Sequence, residues 1–293
     1  MGPEGVDLYI GGAEHAVLHL LYARFWHKFL YDIGVASTPE PFHRLVNQGI
    51  ILGEDGRKMS KSFGNIVNPE SLLREYGADT VRLFEMFLGP LEQMKPWSSQ
   101  GLEGPHRFLA RVWRLVMEED AEGRWTLRSD ISTEEAPLAI QRLLHRTIRK
   151  VTEDLERLSF HTAIAQMMIL VNALTRQPAP SRIALETLIL LLSPFAPHLC
   201  EELWSVLGHP ESLAYASWPE ADPLLLTEEE AEWVIQVNGK VRSRMTAARD
   251  LGQEEAESLA RQRPEIESWL EGKPVQKVIF VPGKLLNFVL GRE

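Results

Sequence analysis

Apolar positions from Val6 to Gly11 form a short run that ends in paired glycines, and from Glu14 to Tyr31 they recur at helical spacing without an internal Gly or Pro. A strand, a turn and a helix are predicted. The residues from Gly49 to Gly53 repeat the strand-then-loop pattern, and Asn68, Pro69 and Glu70 open a helix running through Tyr76 to Gly77, with Asn68 as its N-cap. Residues 1–104 therefore read as part of an α/β sheet, closed by Gly101, Gly104 and Pro105. From Pro105 to Leu226 the pattern is nearly all helical, over 105–119, 137–158, 160–175 and 181–207, with turn residues Gln177 to Pro180 and Gly208 to Pro210 between and after the last segments. A helix bundle is expected there.

The period changes again from about Thr227. An acidic helical start at Glu228, Glu229 and Glu230 precedes two β-runs, Val234 to Val237 and Val241 to Arg244, joined through Asn238 and Gly239, a strong hairpin signal. A helical stretch from Gln253 to Leu270, broken by Pro264, follows. A second hairpin links Val275 to Val281 with Leu285 to Leu290 through Pro282 and Gly283. The fold class is thus α/β over 1–104, all-α over 105–226, and α+β over 227–293 as a small ββαββ module.

Length and composition narrow the picture. At roughly 100 to 200 residues per domain, 293 residues allow two or three domains. Hydrophobic residues at 44% and charged residues at 25% exclude intrinsic disorder. The single Cys200 excludes a disulfide framework and a zinc site of the two-CxxC kind, favouring a reducing cytoplasm. Met1 to Gly5 lacks the basic start of a secretory signal, and no apolar run reaches the roughly 20 residues of a membrane span, so a soluble cytoplasmic protein is expected.

The most specific chemistry is Lys58, Met59, Ser60, Lys61 and Ser62, preceded by Asp55, Gly56 and Arg57 and followed by Phe63, Gly64 and Asn65. Two ammonium groups three positions apart on a glycine-flanked loop can close around a polyphosphate, with serine hydroxyls as added donors. Charge alone describes a solvated basic turn just as readily. The net charge of −10, from 31 Lys plus Arg against 41 Asp plus Glu, argues against nucleic acid, but it conceals a local exception. From Trp233 to Arg249 the chain carries Lys240, Arg242, Arg244 and Arg249 and no acidic residue, so this hairpin can neutralise several phosphates. Arg107, Arg111 and Arg114, and Arg142, Arg146 and Arg149, form two further stripes at helical spacing. Each is as readily a solvated, salt-bridged face.

The five residues 58–62 are the KMSKS signature of class I aminoacyl-tRNA synthetases. Asp7 to His19 resembles the YIGGxEHAxLH segment of leucyl-tRNA synthetases, which is far more discriminating. Further matches run through Asn65 to Pro69, Glu75 to Arg82, Trp97 with Gly101 to Trp113, Ser193 to His198 with Glu201 to Trp204, Gln236 to Arg242, and Val278 to Leu286. The resemblance implies the C-terminal half of a class I Rossmann-like catalytic domain, an anticodon-binding-type helix bundle and a C-terminal tRNA-binding module. It implies that Lys58 and Lys61 stabilise the leaving pyrophosphate, with Lys61 the principal ATP contact. Gly12, Glu14, Gly49, Ile50, Met59, Ser60 and Ser62 would complete the ATP site, although Ile50 is equally explained by sheet packing. His15 and His19, one helical turn apart, would line the leucine pocket; without the motif they read as a packed or surface pair.

ATP would come with Mg²⁺, and no tightly bound protein metal is expected. The implied activity joins leucine to tRNA(Leu) through an adenylate. The HIGH signature and an editing site are missing, and about 40 residues between His15 and Lys58 leave no space for a leucyl-specific insertion. A complementary N-terminal chain or subunit carrying HIGH and editing is therefore expected, whether this chain is a separately encoded subunit or a fragment. The alternatives are a catalytically silent tRNA-binding module and a fragment of an isoleucyl or valyl enzyme.

Overall fold

A computed structural model of the chain describes residues 5–226, 230–249 and 251–291. They form two compact units, Met1–Ala221 and Asp222–Glu293. The first opens with strand β1 (Val6–Gly12), a 3-10 turn at Ala13–His15 and a π turn at Ala16–Leu20. Helix α1 (Leu21–Asp32) and strand β2 (Phe42–Gln48) follow. The two strands are parallel, with Val6 opposite Phe42 and Gly12 opposite Gln48, so α1 is the crossover such a pairing requires. Strand β2 has no clean alternation in FHRLVNQ and was not anticipated.

Strand β3 (Ile51–Leu52) precedes the lysine loop. Helix α2 (Pro69–Tyr76) begins as expected, with the Asn68 side chain accepting from Glu70 N and Pro69 in its first turn. Gly77, at φ 82°, turns the chain into α3 (Ala78–Phe87), and β4 (Lys95–Pro96) pairs in parallel with β3. Ile51, Met59 and Val67 pack on a small core of Leu72, Val81, Phe84, Trp97 and Leu102. This core seats the loop between β3 and α2.

Helices α4 (Glu103–Val116), α5 (Leu138–Glu156), α6 (Phe160–Leu174), α7 (Arg182–Leu192) and α8 (Pro197–Val206) build the bundle, but its sequence is not helical throughout. Between α4 and α5 lies the antiparallel pair β5 (Met117–Glu119) and β6 (Trp125–Leu127). The helix expected to reach 119 stops at Val116. The Asp120 carboxylate accepts from the backbone N–H of Glu122 and Arg124, and Gly123 takes φ 79°, so the local turn outcompetes the helix. Likewise 181–207 is two helices, because Pro194, just past the Ser193 cap, has no N–H to continue the first, and Pro197 opens the second.

The bundle core includes Ile164, Met167, Leu188, Leu192 and Phe195, and Leu83 of α3 belongs to it. Residues on both sides of 104 therefore share one unit. Asp79 of α3, 8% exposed, accepts from Leu199 N at 2.7 Å and His198 N at 3.4 Å, and stands 2.8 Å from His198 Nδ1. It caps α8 from another helix. Arg82 donates to the carbonyls of Pro194 and Phe195 beside it.

In the second unit, α9 (Pro223–Leu226) is a single turn. Of the expected acidic helical start, Glu228 and Glu229 lie outside the described residues, and Glu230 opens a strand, because the strand alternation already begins there. Strands β7 (Glu230–Val237) and β8 (Lys240–Ala248), helices α10 (Gln253–Arg261) and α11 (Pro264–Leu270), and strands β9 (Val275–Val281) and β10 (Leu285–Leu290) give the order β8-β7-β10-β9, with β7 and β10 parallel. Asn238 and Gly239 take φ of 50° and 78°, the left-handed pair of a tight hairpin turn. Trp233, Ile235 and Val237 alternate inward to meet Ala256, Ala260, Ile266 and Phe288.

Replacing Asp79 with Ala leaves the first N–H groups of α8 without an acceptor inside the protein. The expected loss is about 1–3 kcal/mol, read as a lower urea midpoint for the helical signal. An unchanged midpoint would show that the cap is dispensable.

Candidate functional site

The lysine loop is held by side chains that flank it. Asp55 accepts from Arg57 N at 3.0 Å, Arg57 Nε at 2.8 Å and Asn65 Nδ2 at 3.1 Å. Asn65 Oδ1 in turn accepts from Ser60 N at 2.9 Å, and a bridge joins Leu52 to Lys58. The Arg57 N–H, the Asn65 amide and the Arg57 guanidinium together hold the Asp55 carboxyl at about 2. Gly53 lies against this web: a Cβ there would stand 2.8 Å from Asn65 Nδ2.

Ser60 caps a short turn at Lys61–Phe63 by accepting from Ser62 N, and Gly64 leaves that turn at φ 64°. Met59 points into the small core. Lys58 and Lys61 point to solvent and form no ion pair among the described residues. Alternating anchor and lysine is what a polyphosphate clamp needs: fixed backbone, free ammonium groups.

A second group of expected residues lies at the ends of β1 and β2. Gly12, Glu14, Gly49 and Ile50 line one cavity of about 390 Å³, together with Glu85, Lys95 and Phe160. The Glu14 carboxylate folds over Gly12, where a Cβ would lie 2.1 Å from Oε2; at Gly49 a Cβ would lie 2.2 Å from the Gln93 carbonyl oxygen. Gly49 therefore requires glycine for close backbone approach, whereas at Gly12 the flexible Glu14 side chain could swing aside. Lys95 donates to the Gly89 carbonyl at 2.8 Å, and burial lowers its pKa, offset in part by Glu92. Desolvation raises the Glu85 carboxyl, with Arg82 opposing. Neither residue was singled out from sequence; their distance along the chain from Gly12 hid them.

His15 and His19 do sit together, edge to face with ring centres 6.3 Å apart. Tyr9 Oη lies 2.6 Å from His19 Nε2, and the Tyr9 ring stacks on Phe42 at 4.2 Å. Both histidines are exposed, and neither they nor the five loop residues line the 390 Å³ cavity. The structure thus presents three separate groups: loop lysines, sheet-end cavity and histidine pair.

Among the basic residues, Lys240 and Arg242 line a groove of about 480 Å³ with Trp269 and Lys273. The Arg242 guanidinium stacks 3.6 Å above the Trp269 ring, and Lys273 Nζ lies 5.8 Å from the same ring. Arg244 instead pairs with Glu232 at 2.7 Å, and Arg249 sits in the turn after β8, against Gly283. Trp269 and Lys273 escaped the sequence reading because they come from and follow α11, far from the hairpin. In the bundle, Arg111 donates to Asn172, and Arg142 and Arg146 are likewise engaged. No group of three or more His, Cys, Asp or Glu placed to hold a metal occurs among the described residues, and no helix there is long and apolar enough to cross a membrane. Burial raises the Cys200 thiol far above its ordinary value.

Residues 20–95 match the family model for class I tRNA synthetases (I, L, M and V), and residues 139–257 match that for the anticodon-binding domain of tRNA ligase. Leucine–tRNA ligase of Chloroherpeton thalassium is 54% identical over 285 residues, and that of Chlorobium phaeovibrioides is 56% identical over 285. Each match covers 97% of this chain and 35% of the relative, so the chain spans about a third of their length. The ternary complex of Agrobacterium radiobacter K84 agnB2 LeuRS with tRNA and LeuAMS superposes with a TM-score of 0.80 at 35% identity, over 98% of this chain and 38% of that one. Mycobacterium tuberculosis methionyl-tRNA synthetase with methionyl-adenylate shares the fold, with a TM-score of 0.50 and 18% identity over 72% of this chain and 50% of that one.

The Asp55 web has a definite acid limit. Its folded pKa is below the ordinary aspartate value of about 3.9, so its contribution is complete above that value and is lost as pH falls through about 2. Amide-exchange protection at Arg57 and Ser60 should decline across that window, and Asp55→Ala should remove it at neutral pH. Protection that persists at pH 2 would dismiss the web as the loop's support.

Proposed function

The chain is homologous over 97% of its length to a C-terminal portion of leucine–tRNA ligases, 35% of theirs, and on that premise we propose that it supplies their pyrophosphate-stabilising loop and tRNA grip. In the reaction, a leucine carboxylate oxygen attacks the ATP α-phosphorus and pyrophosphate leaves. The 3′-terminal hydroxyl of tRNA(Leu) then attacks the adenylate carbonyl and AMP leaves. Mg²⁺ arrives with ATP and neutralises phosphate charge.

The observation that carries this reading is the lysine loop: two exposed, unpaired ammonium groups on a backbone fixed by Met59, Asp55 and Asn65. Lys58 and Lys61 balance charge growing on the leaving phosphates, and Ser60 and Ser62 keep the turn closed. Gly12, Glu14, Gly49 and Ile50 form the wall for the nucleoside, where glycines admit close backbone approach. His15 and His19 face the leucine side chain once the rest of the site is assembled. Activity requires the complementary portion with HIGH and editing, as a separate chain or joined to this one.

For tRNA, the groove of Lys240, Arg242 and Lys273 offers phosphates three cations, with the Trp269 ring holding the Arg242 guanidinium in place. Arg244, already paired with Glu232, contributes less than its charge suggests. Arg249 supports the turn at Gly283. The setting is the cytoplasm, where ATP and tRNA are available.

With the complementary portion present, Lys61→Ala should lower leucine-dependent ATP–pyrophosphate exchange on the order of 10²- to 10³-fold and leave tRNA affinity intact. Equal loss of both would remove Lys61 from the chemistry; exchange undiminished by the substitution would leave the chain as an RNA grip alone. Lys240→Ala and Arg242→Ala should each weaken tRNA binding and reduce the slope of log K against log salt by about 1. A constant slope would take the groove out of the interface.

A further inference from the structure

Residues 95–99 run beside the entry to the lysine loop and bond to it at every second position. Lys95 N donates to the Ile50 carbonyl at 3.2 Å and Trp97 N to the Leu52 carbonyl at 2.9 Å, the evenly spaced rungs of a parallel pair. The next rung in this series joins Ser99 N to residue 54. By that point the chain has turned: Gly56 N donates to the Gly53 carbonyl at 2.9 Å, Gly53 N donates to the Arg57 carbonyl at 2.8 Å, and Gly56 takes φ 73°. Ser99 N still finds residue 54, through its side chain, because Glu54 Oε1 accepts at 3.0 Å. A carboxylate replaces the backbone carbonyl where the ladder ends.

Two consecutive carboxylates thus take different partners from one turn. Asp55 gathers Arg57 and Asn65 within the loop, whereas Glu54 reaches a separate segment of chain. Ser99 opens the 3-10 turn Ser99–Leu102 that runs into α4, and Ser98 before it makes no side-chain cap. Glu54 supplies that cap from 45 positions away. The far end of the bond is itself fixed: Trp97 Nε1 donates to the Ser99 hydroxyl at 3.1 Å, and Trp97 and Leu102 are buried in the small core on which Met59 packs. Hydrogen bonds from the Ser99 backbone N–H and then its hydroxyl hold the Glu54 carboxyl below its ordinary value.

We propose that Glu54 is a positioning residue for the pyrophosphate-stabilising lysines: its bond to Ser99 fixes the turn that precedes Lys58 against the head of α4. Lys58 is bridged to Leu52 across that turn, so rocking of the turn moves the ammonium groups relative to the leaving phosphates. Glu54 acts through the backbone and touches no substrate. The inference rests on the ligase reading above and deepens it by naming what sets the clamp. A misplacement of about 1 Å can cost on the order of 10²-fold in rate. Met59, Asp55 and Asn65 still hold the loop when Glu54 is lost, so a smaller factor is expected. Glu54 is exposed, and its removal should leave the melting temperature unchanged.

Hydrogen exchange on the full chain reads the tie, and leucine-dependent ATP–pyrophosphate exchange with the complementary portion present reads its use. Glu54→Ala should speed amide exchange at Ser99 by about 3- to 10-fold, the size of a lost cap. It should lower kcat by a similar factor and leave KM for leucine unchanged. Glu54→Gln keeps an oxygen able to accept from Ser99 N and should restore most of both. Wild-type behaviour of Glu54→Ala in either assay would overturn the proposal, since a faster Ser99 amide with undiminished kcat describes a helix cap alone. Glu54→Gln as impaired as Glu54→Ala would also overturn it, by making charge and not the Ser99 bond the cause. So would a loss of kcat accompanied by a matching fall in melting temperature. Wild-type chain without leucine-dependent exchange would sink the ligase reading and the role in catalysis together, while a Ser99 amide that still responds to Glu54→Ala would keep the tie itself.

Discussion

A carboxylate on α3 closes the N-terminus of a helix 120 positions further along the chain, and the first unit depends on that contact. Asp79 takes the backbone N–H groups of His198 and Leu199, while Arg82, one turn on, holds the carbonyls of Pro194 and Phe195. Leu83, the residue after Arg82, enters the bundle core with no exposed surface. Helix α3 therefore has two faces at work. One carries Val81 and Phe84 into the small core that seats Met59, and the other is bolted to the bundle. The lysine loop is tied to the bundle through this helix and through Trp97 and Leu102, which lead into α4. A loop needing a fixed backbone beneath free ammonium groups is best served by such a rigid anchor.

The distribution of charge follows the same economy of placement. Net charge is −10, yet basic residues differ in what holds them. Arg24, Arg244 and Arg128 are committed to carboxylates, and such exposed pairs contribute little to stability. Lys58, Lys61, Lys240 and Lys273 appear in no ion pair among the described residues. Counting charges along Trp233 to Arg249 gives four cations. The fold distinguishes them: two open onto the groove, one is neutralised by Glu232, and one supports a turn. The local sum was informative only after pairing was known.

Local chemistry was legible wherever neighbours in sequence decide the backbone. Asn238-Gly239 dictates its left-handed turn, Asn68-Pro69 its helix start, and Pro264 its helix break. Strand β2 was not legible, because its polar and apolar residues follow neither period and its place is set by pairing with β1. The β5–β6 pair was hidden by continuous apolar spacing through α4, and only the Asp120 turn ends that helix. Within the candidate site, residues 58–62 and Gly12, Glu14, Gly49 and Ile50 stood out through motif identity. Lys95 joins the last four only through β3–β4 pairing, and Trp269 reaches Arg242 only through the packing of α11 on β8. Such meetings are tertiary, and no local pattern encodes them.

The separation of the three groups in the first unit is itself physically sensible. The cavity holding Gly12 and Gly49 is bounded at Gly49 by a close approach to the Gln93 backbone that tolerates no Cβ, and this chain's residues line it. The histidine pair has no such enclosure: Tyr9 fixes His19 from one side, and solvent occupies the other. His15 and His19 line none of the described cavities and stand exposed, with the Tyr9 ring beside His19. Their neighbours along the chain, Val17, Leu18 and Leu21, are exposed as well. One strand–helix unit thus carries a cavity lined at the strand's end and, on the following turns, a histidine pair left open to solvent.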